Sequence, residues 1–578
     1  MTKILTTTEQ VQFAVGAGQP LALSLVPGVG VAVAWIGGNA QIHDTDALSV
    51  VHELDLANPR WVWWSARETA TQLVARGIRP RTCWDLGAVG RLLHGLSRED
   101  AGAVWAAENE LPEPPVTTGE LTLLDLAGED HTPVRLDGHL SREWLRGTWA
   151  HDLDKAQQWA SLALQLQQMQ ETSVRALPDP RALSGAPSLP YLTALSESMA
   201  ALLCVELEHD GLAVDRPVLE QMLTKAVGAR PRNDSDEAST RMVRDQRVWD
   251  LFPGDRVDLR NPGNVRDLLL RIGIDVPDTR SWRLEGYGDT VPSVAALLAW
   301  RKSERIATTY GWSWVDRNVG DDDRLRGSWG AAEGAGRMTA SAGLHNLPVE
   351  LRPAISPRVG RMLVRADLGQ VEPRVLAAVS GDPGLAAAAG EDDMYAPVAA
   401  ALGSDRPTAK IAMLAAMYGQ TSGAAGAALA DMDRAYPTAM AYLRAAEESG
   451  RTGVDLRTFG GRLLRLSRLT KALADAGPDS TMAHSYGRFA RNAVVQGAAA
   501  ELFKAWAGTV RAGIVHLDAR IVLCLHDELL VEAADDDCAD VVEVLHDSLR
   551  STASWWSRGS AVRFVADVST ANCWANAH

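Results

Sequence analysis

No apolar stretch of the 578-residue chain approaches the roughly 18 residues that a membrane-spanning helix requires, so no membrane partner is expected. The opening residues, Met1 to Glu9, are polar and threonine-rich and lack the basic-then-apolar order of a secretory signal. Cysteine is sparse. Cys83, Cys204, Cys524, Cys538 and Cys573 are scattered without a CxxC pair, which excludes a disulfide framework and fits a reducing cytoplasm. Lysine is also scarce: seven lysines leave 50 of the 57 basic residues as arginine, the mark of a GC-rich genome and not of chemistry. Positive charge is in deficit overall, and the net charge of −16 at first argues against a nucleic-acid partner. A phosphate backbone meets the local field, however. Arginines cluster at 352, 358, 361, 365 and 374, again at 451, 457, 462, 465 and 468 with Lys471, and then at 488 and 491. Each run taken alone reads as a solvated face.

What is present is ordinary globular material, 46% hydrophobic and 22% charged, in a chain long enough for two to four domains. Residues 1 to about 135 alternate short apolar runs (Leu21–Val26, Val31–Ile36, Trp61–Trp64) with turns, which predicts a small mixed α/β domain. Ser141–Leu177 reads as helix, and the proline-rich Leu177–Pro190 as a linker. Tyr191–Val227 reads as long helix broken at Asp210-Gly211, residues 228–245 as a polar loop, and Val291–Tyr310 as helix again. The alanine-rich stretch 385–447 is expected to be helical.

Three short segments carry chemistry. In Met362 to Arg374 an apolar run ends at Asp367, and a helix then starts with Glu372 and Pro373 in its first turn. A carboxylate at a strand end is a rigid place to hold a hard cation, although a lone Asp there is usually a helix cap. In Ile521 to Glu532 two apolar strands flank His526, Asp527 and Glu528 at a hairpin tip. In Ser404 to Gly419, read as a helix, Arg406, Lys410, Leu414 and Tyr418 recur every four residues on one face.

Together these segments resemble motifs A, B and C of family A DNA polymerases, in the family's order and with fitting separations. Motif A is matched by Asp367, Gln370, Glu372 and Arg374; motif B by Arg406, Lys410, Tyr418 and Gly419; motif C by His526, Asp527 and Glu528. Gly336 to Thr339 with Leu344 to Pro348, and Arg488, Asn492, Gln496 and Gly497, resemble further family segments. The likeness is strong from about residue 190 onward and weak before it.

The resemblance implies template-directed primer extension by two-metal phosphoryl transfer. Two Mg²⁺ ions, with Mn²⁺ able to substitute, are expected on Asp367, Asp527 and the Leu368 carbonyl, with Glu528 as an auxiliary acid. Lys410 is expected to neutralise the dNTP triphosphate and to protonate the departing pyrophosphate, which an ammonium can do and a guanidinium cannot. Arg406, Leu414, Tyr418, Glu372, Gln370 and Tyr395 complete the expected dNTP site, with Glu372 crowding the 2′ position against ribonucleotides. Arg337, Asn346, Arg488, Asn492, Gln496 and His526 are expected on primer–template DNA. The chain departs from the family at Pro407, where a second arginine is usual; a residue before proline is pushed out of the α region, which would put Arg406 outside the helix. Leu414 replaces an aromatic residue, Tyr395 a phosphate-binding histidine, and His345 a glutamine.

The expected fold is a mixed α+β, α/β multidomain chain: an N-terminal ribonuclease-H-like exonuclease fold followed by a right-hand polymerase. The expected boundaries are 1–177 for a degenerate 3′–5′ exonuclease-like domain, 190–330 for the thumb and start of the palm, 331–385 for the palm, 386–470 for the fingers and 471–578 for the returning palm. A proofreading site needs four carboxylates for its metals, yet Leu21 to Ile36 contains no acid, and Ser65-Ala66-Arg67-Glu68-Thr69 stands where an Asn-x3-Asp is expected. Inactivity is therefore expected there, the alternative being proofreading through Asp85, Asp152 and Asp154. Rival readings for the whole are a single-subunit RNA polymerase and a catalytically silent DNA-binding relative. A cytoplasmic, nucleoid-associated monomer is expected.

Overall fold

The computed structural model describes residues 4–5, 7–115, 132–181, 186–331, 334–419, 424–557 and 560–577. Part of the expected linker, residues 182–185, and part of the expected N-terminal domain, residues 116–131, lie outside them. The chain divides into two compact units, one of residues 1–209, 329–339 and 364–569, the other of 210–328, 340–363 and 570–578.

The first unit opens with a six-stranded sheet made of β1 (Ile4–Leu5), β2 (Pro20–Val26), β3 (Gly30–Trp35), β4 (Gly38–His43), β5 (Arg60–Trp63) and β6 (Thr82–Asp85), in the order β1-β4-β3-β2-β5-β6. β2, β3 and β4 form an antiparallel meander, and β5 and β6 add parallel to β2. Both faces of β2 and β3 are buried, which is why these strands read as unbroken apolar runs and not as alternation. One face is covered by α1 (Ala47–Asp55) and α2 (Ala66–Ala75), with Leu202 and Val205 of a later helix. The other is covered by α3 (Leu86–His94) and α4 (Leu153–Ala176). There Trp159 stacks on Trp64 at 4.4 Å and on Trp149 at 5.9 Å, with Trp144 at 6.2 Å. The expected helix 141–177 is thus two pieces, a single turn at Arg142–Leu145 and α4, restarted where the Asp152 side chain accepts from the Asp154 and Lys155 amides.

α5 (Leu189–Asp210) leads out of this region. The second sheet of the unit has four strands, β7 (Arg361–Leu368), β8 (Ala519–Leu525), β9 (Glu528–Ala534) and β10 (Ala566–Ala571), in the order β8-β9-β7-β10. Between β7 and β8 the chain is mainly helical: α6 (Val371–Ser380), α7 (Tyr395–Leu402), α8 (Arg406–Tyr418), α9 (Pro437–Thr452) and α10 (Thr481–Gly513), with α11 (Cys538–Trp556) following β9. The 33-residue α10, about 50 Å long at 1.5 Å per residue, is the spine against which α6, α8, α9 and α11 pack.

In the second unit six helices between Arg216 and Asn318 enclose a core of Val248, Leu259, Val265, Leu268, Leu297 and Trp300. The segment expected as a polar loop is largely helix, Asp234–Trp249. The expectation failed because the segment carries few apolar residues. What holds it is an Asn233 cap, Asp234, Asp236 and Glu237 at the positive end of the helix dipole, Arg247 at the other, and Arg260 pairing with Asp245 at 2.8 Å. Among the described residues no helix is long and apolar enough to cross a membrane.

Candidate active site

Two strand ends meet in the first unit. Asp367 is the penultimate residue of β7, and Asp527 is the second residue of the two-residue turn between β8 and β9. The Leu368 amide donates to the Asp527 carbonyl at 2.9 Å, so the backbones that carry the two carboxylates are tied together. Burial, followed by the charges of Asp367 and Glu528, pushes the Asp527 carboxyl up to about 6. Asp367 is also raised, first by burial and then by Glu528 and Asp567, with Arg365 opposing. Glu528, the first residue of β9, is 7% exposed. Arg365 lies two residues before Asp367 on β7, and its Nη2 donates to Asp367 Oδ2 at 2.5 Å and to Glu528 Oε2 at 3.0 Å. Crowded carboxylates whose mutual repulsion is only partly relieved are suited to a hard cation. Among the described residues no group of three or more His, Cys, Asp or Glu side chains forms a ready-made metal cage.

Asp367 caps no helix. The chain runs three residues further before α6, and Gln370 stands at the cap position with a left-handed φ of 56°. The Gln370 amide is engaged on both sides, donating to Asp393 Oδ1 at 2.9 Å and accepting from the Met394 amide at 3.0 Å. Glu372, in the first turn of α6, accepts from the Tyr418 hydroxyl at 3.0 Å and pairs with Arg337. Gln496 also bonds the Tyr418 hydroxyl, so Arg337, Glu372, Tyr418 and Gln496 form one polar chain. Arg374 is fully buried and donates to the carbonyls of Gly369, Ala389, Arg563, Glu391 and Asp392. It pins the start of α6 to its surroundings.

On α8 the expectation for Arg406 is corrected. Asp405 is the cap, accepting from the Thr408 amide at 2.9 Å, and Arg406 and Pro407 are the first two helical residues. Proline is welcome in a first turn because the amide it lacks has no partner there. Arg406 is exposed and pairs with Asp393 at 2.7 Å, its guanidinium 5.5 Å from the centre of the Tyr395 ring. Tyr395 itself is 5% exposed. Lys410 is exposed and makes no ion pair among the described residues, whereas Leu414 and Tyr418, further along the same face, are half-buried. On α10, Arg488 is exposed and Asn492 and Gln496 are half-buried, one turn apart on a shared stripe. Asn492 Oδ1 is buried without a hydrogen-bond partner. His526 lies at the hairpin tip, its imidazole held below the ordinary value by desolvation and then by Arg337. Asn346 belongs to the second unit, where its carbonyl accepts from Arg305 Nη2 and the Tyr310 hydroxyl, both at 2.8 Å.

The arginine runs are partly consumed by structure. Arg462 is 2% exposed and pairs with Glu197 at 2.6 Å, Arg491 donates to the Ala416 carbonyl at 2.6 Å, and Arg457 donates to those of Leu93 and Gly461. Arg465 and Arg468, by contrast, line a cavity of about 350 Å³ with Tyr486 and the exposed Phe489. Sequence reasoning missed Arg365, Asp393 and Asp567 as members of the site. Arg365 was findable, because residues two apart on a strand share a face; Asp393 and Asp567 had no local signal.

Residues 275–576 match the model of DNA polymerase family A. The chain is 29% identical to DNA polymerase I of Chloroflexus aurantiacus over 46% of its length and 31% of the relative's, and 25% identical to DNA polymerase I of Pseudomonas aeruginosa over 68% and 45%. It therefore spans less than half the length of these curated relatives. A solved structure, the POL domain of Pol1 from M. smegmatis in complex with DNA primer-template and dNTP, is similar with a TM-score of 0.66 and 18% identity over 99% of both chains. That likeness establishes a mixed helix-and-sheet polymerase fold.

Proposed function

The chain belongs to DNA polymerase family A, and from that premise we propose that it extends a primer 3′-hydroxyl with deoxynucleotides on a DNA template. The observation that carries this reading is the pairing of strand ends that sets Asp367 beside Asp527. Their carboxylates and the Leu368 carbonyl are hard oxygen donors that fit Mg²⁺, or Mn²⁺ in its place. Two such ions, when bound, would polarise the attacking hydroxyl and neutralise charge on the leaving pyrophosphate. The chain's own residues do the positioning. Lys410, exposed on α8, meets the triphosphate, and Arg406 can exchange Asp393 for phosphate at the helix start. Tyr418 supports the incoming base. Glu372, held by Arg337 and Tyr418, stands against a 2′-hydroxyl. Arg488, Asn492, Gln496, His526, Arg337 and Asn346 serve the duplex, where minor-groove acceptors are nearly independent of sequence.

The N-terminal region, 1–177, acts as an exonuclease-like scaffold without proofreading. Its meander-plus-parallel strand order supports a ribonuclease-H-like fold. Two of the alternative acids are engaged as caps, Asp85 accepting from the Ala66 and Ala88 amides and Asp152 from the start of α4, and the third, Asp154, accepts from the Gln41 side chain at 2.7 Å. The thumb and start of the palm are assigned to 190–330, the palm to 331–385 and 471–578 and the fingers to 386–470; that residues 210–328 fall together in the second compact unit, with 340–363 and 570–578, supports the first of these. A monomer working in the cytoplasm near the nucleoid is the corresponding setting.

Primer extension with Mg²⁺, wild type beside Asp527→Ala, tests the reading. Extension by the wild type from dNTPs and its loss in the variant are expected; undiminished extension by the variant overturns the metal assignment. Equal use of ribonucleotides by the wild type overturns the choice of sugar.

A further inference from the structure

The carboxylate site contains a cation of its own. Arg365 and Asp367 are two residues apart on β7 and so project from the same face of the strand. The guanidinium is 17% exposed and is held by two anchors, Asp367 Oδ2 at 2.5 Å and Glu528 Oε2 at 3.0 Å. The two anchors differ in kind. The Asp367 side chain is 34% exposed, whereas that of Glu528 is 9% exposed. An arginine cannot shed its charge by losing a proton, so this positive charge stays at the site whatever the pH.

We propose that Arg365 is a resident counter-charge that occupies Asp367 until a divalent cation displaces it, and that Glu528 is the positioning residue that retains the displaced guanidinium. The inference rests on the reading of Asp367 and Asp527 as cation ligands. Its physical basis is competition. One of the two Asp367 oxygens is already satisfied by a charge-assisted hydrogen bond, and an incoming dication must break that bond and also meet the field of a nearby positive charge. Because the guanidinium bridges two carboxylates, it can leave Asp367 and remain bound to Glu528, without entering solvent. Cation binding is thereby weakened in the resting protein. It is strengthened when a second anion, such as a nucleoside triphosphate, joins the site and offsets the guanidinium. The arginine thus couples cation loading to nucleotide arrival.

Mn²⁺ binding to the nucleotide-free full chain, followed by electron paramagnetic resonance, tests this without reference to turnover. Wild type, Arg365→Met, Arg365→Lys and Asp527→Asn are compared. Arg365→Met is expected to bind Mn²⁺ about tenfold more tightly than wild type, the order of effect of one unit charge beside a partly exposed carboxylate. Arg365→Lys, which keeps the charge, should stay near wild type. Adding a non-hydrolysable dNTP should tighten Mn²⁺ binding by a larger factor in wild type than in Arg365→Met. Thermal unfolding with and without Mn²⁺ checks that each variant is folded, and Arg365→Gln stands in if the methionine variant is not. Unchanged or weaker Mn²⁺ binding in the charge-removing variant, while Asp527→Asn loses binding, overturns the role of Arg365 alone. Full Mn²⁺ binding by Asp527→Asn instead overturns the cation site on which the inference rests.

Discussion

Asp85 and Asp367 stand in the same kind of place, the C-terminal end of a strand, one in each sheet of the first unit. Asp85 is 3% exposed and has no oxygen to spare: one accepts from Ala66 N at 2.6 Å, the other from Ala88 N at 2.8 Å. Asp367 is partly open, and its described partner is the guanidinium two residues back. The difference lies in the next few residues of the chain. α3 begins immediately after Asp85, so free amides of its first turn are within reach, whereas α6 begins only at Val371 and takes Gln370 as its cap. An acid becomes a cap where the chain supplies amides and remains available to a ligand where it does not. The surrounding sheets need neither outcome. The N-terminal sheet, with no acid on β2 or β3, is held by tryptophans and aliphatic side chains.

The comparison can be broken most sharply at Asp367. Asp367→Ala should lower primer extension by about a thousandfold or more, of the order of 4 kcal/mol in the barrier, with the melting temperature unchanged or raised. A variant that both unfolds and loses extension would make Asp367 structural, like Asp85. The converse belongs to Trp159. Trp159→Ala removes the ring at the centre of the tryptophan cluster and should cost about 3–5 kcal/mol of stability, measured by denaturant unfolding, while extension per folded molecule is kept. Asp85→Ala should cost about 2 kcal/mol through two lost amide bonds, and neither it nor the wild type should degrade a mismatched 3′ end.

The smallest effect concerns pH. Burial and neighbouring acids raise Asp527 to about 6 in the folded protein against 3.8 as its ordinary value, so between these values the folded state binds more protons than the unfolded one. Stability therefore falls as pH rises from about 4 through 6. Asp527→Asn should raise the melting temperature above pH 6 in a chelator, by the equivalent of about 1 kcal/mol after screening by solvent, and should have no effect near pH 4. A gain that persists at pH 4 would mean that charge is not the cause.

Much of the site was legible because its chemistry is local in the chain. Asp367 before a helix, the His526–Glu528 tip and the four-residue spacing along α8 each follow from strand, turn and helix periods. Arg406 was misjudged because the rule for residues before proline was applied without the cap: Asp405 makes the next two positions a first turn, where proline fits. Helix 234–249 was misjudged because its stability comes from caps, the dipole and the ion pairs of Asp245 with Arg260 and Arg244 with Glu304 instead of an apolar stripe. Arg374 was legible as part of motif A but not as a buried clamp on five carbonyls, since all of them but that of Gly369 lie 15 or more residues away along the chain.

The order of residues alone determined which side chains stand at strand ends and helix faces, since those follow from periods of two and 3.6. Only the tertiary structure decided which of them share a field. Arg365 beside Glu528, Gln370 and Arg406 on Asp393, and Asp567 near Asp367 each join segments between 13 and 200 residues apart. Electrostatic coupling depends on distance in space and on burial, and neither is a function of position along the chain.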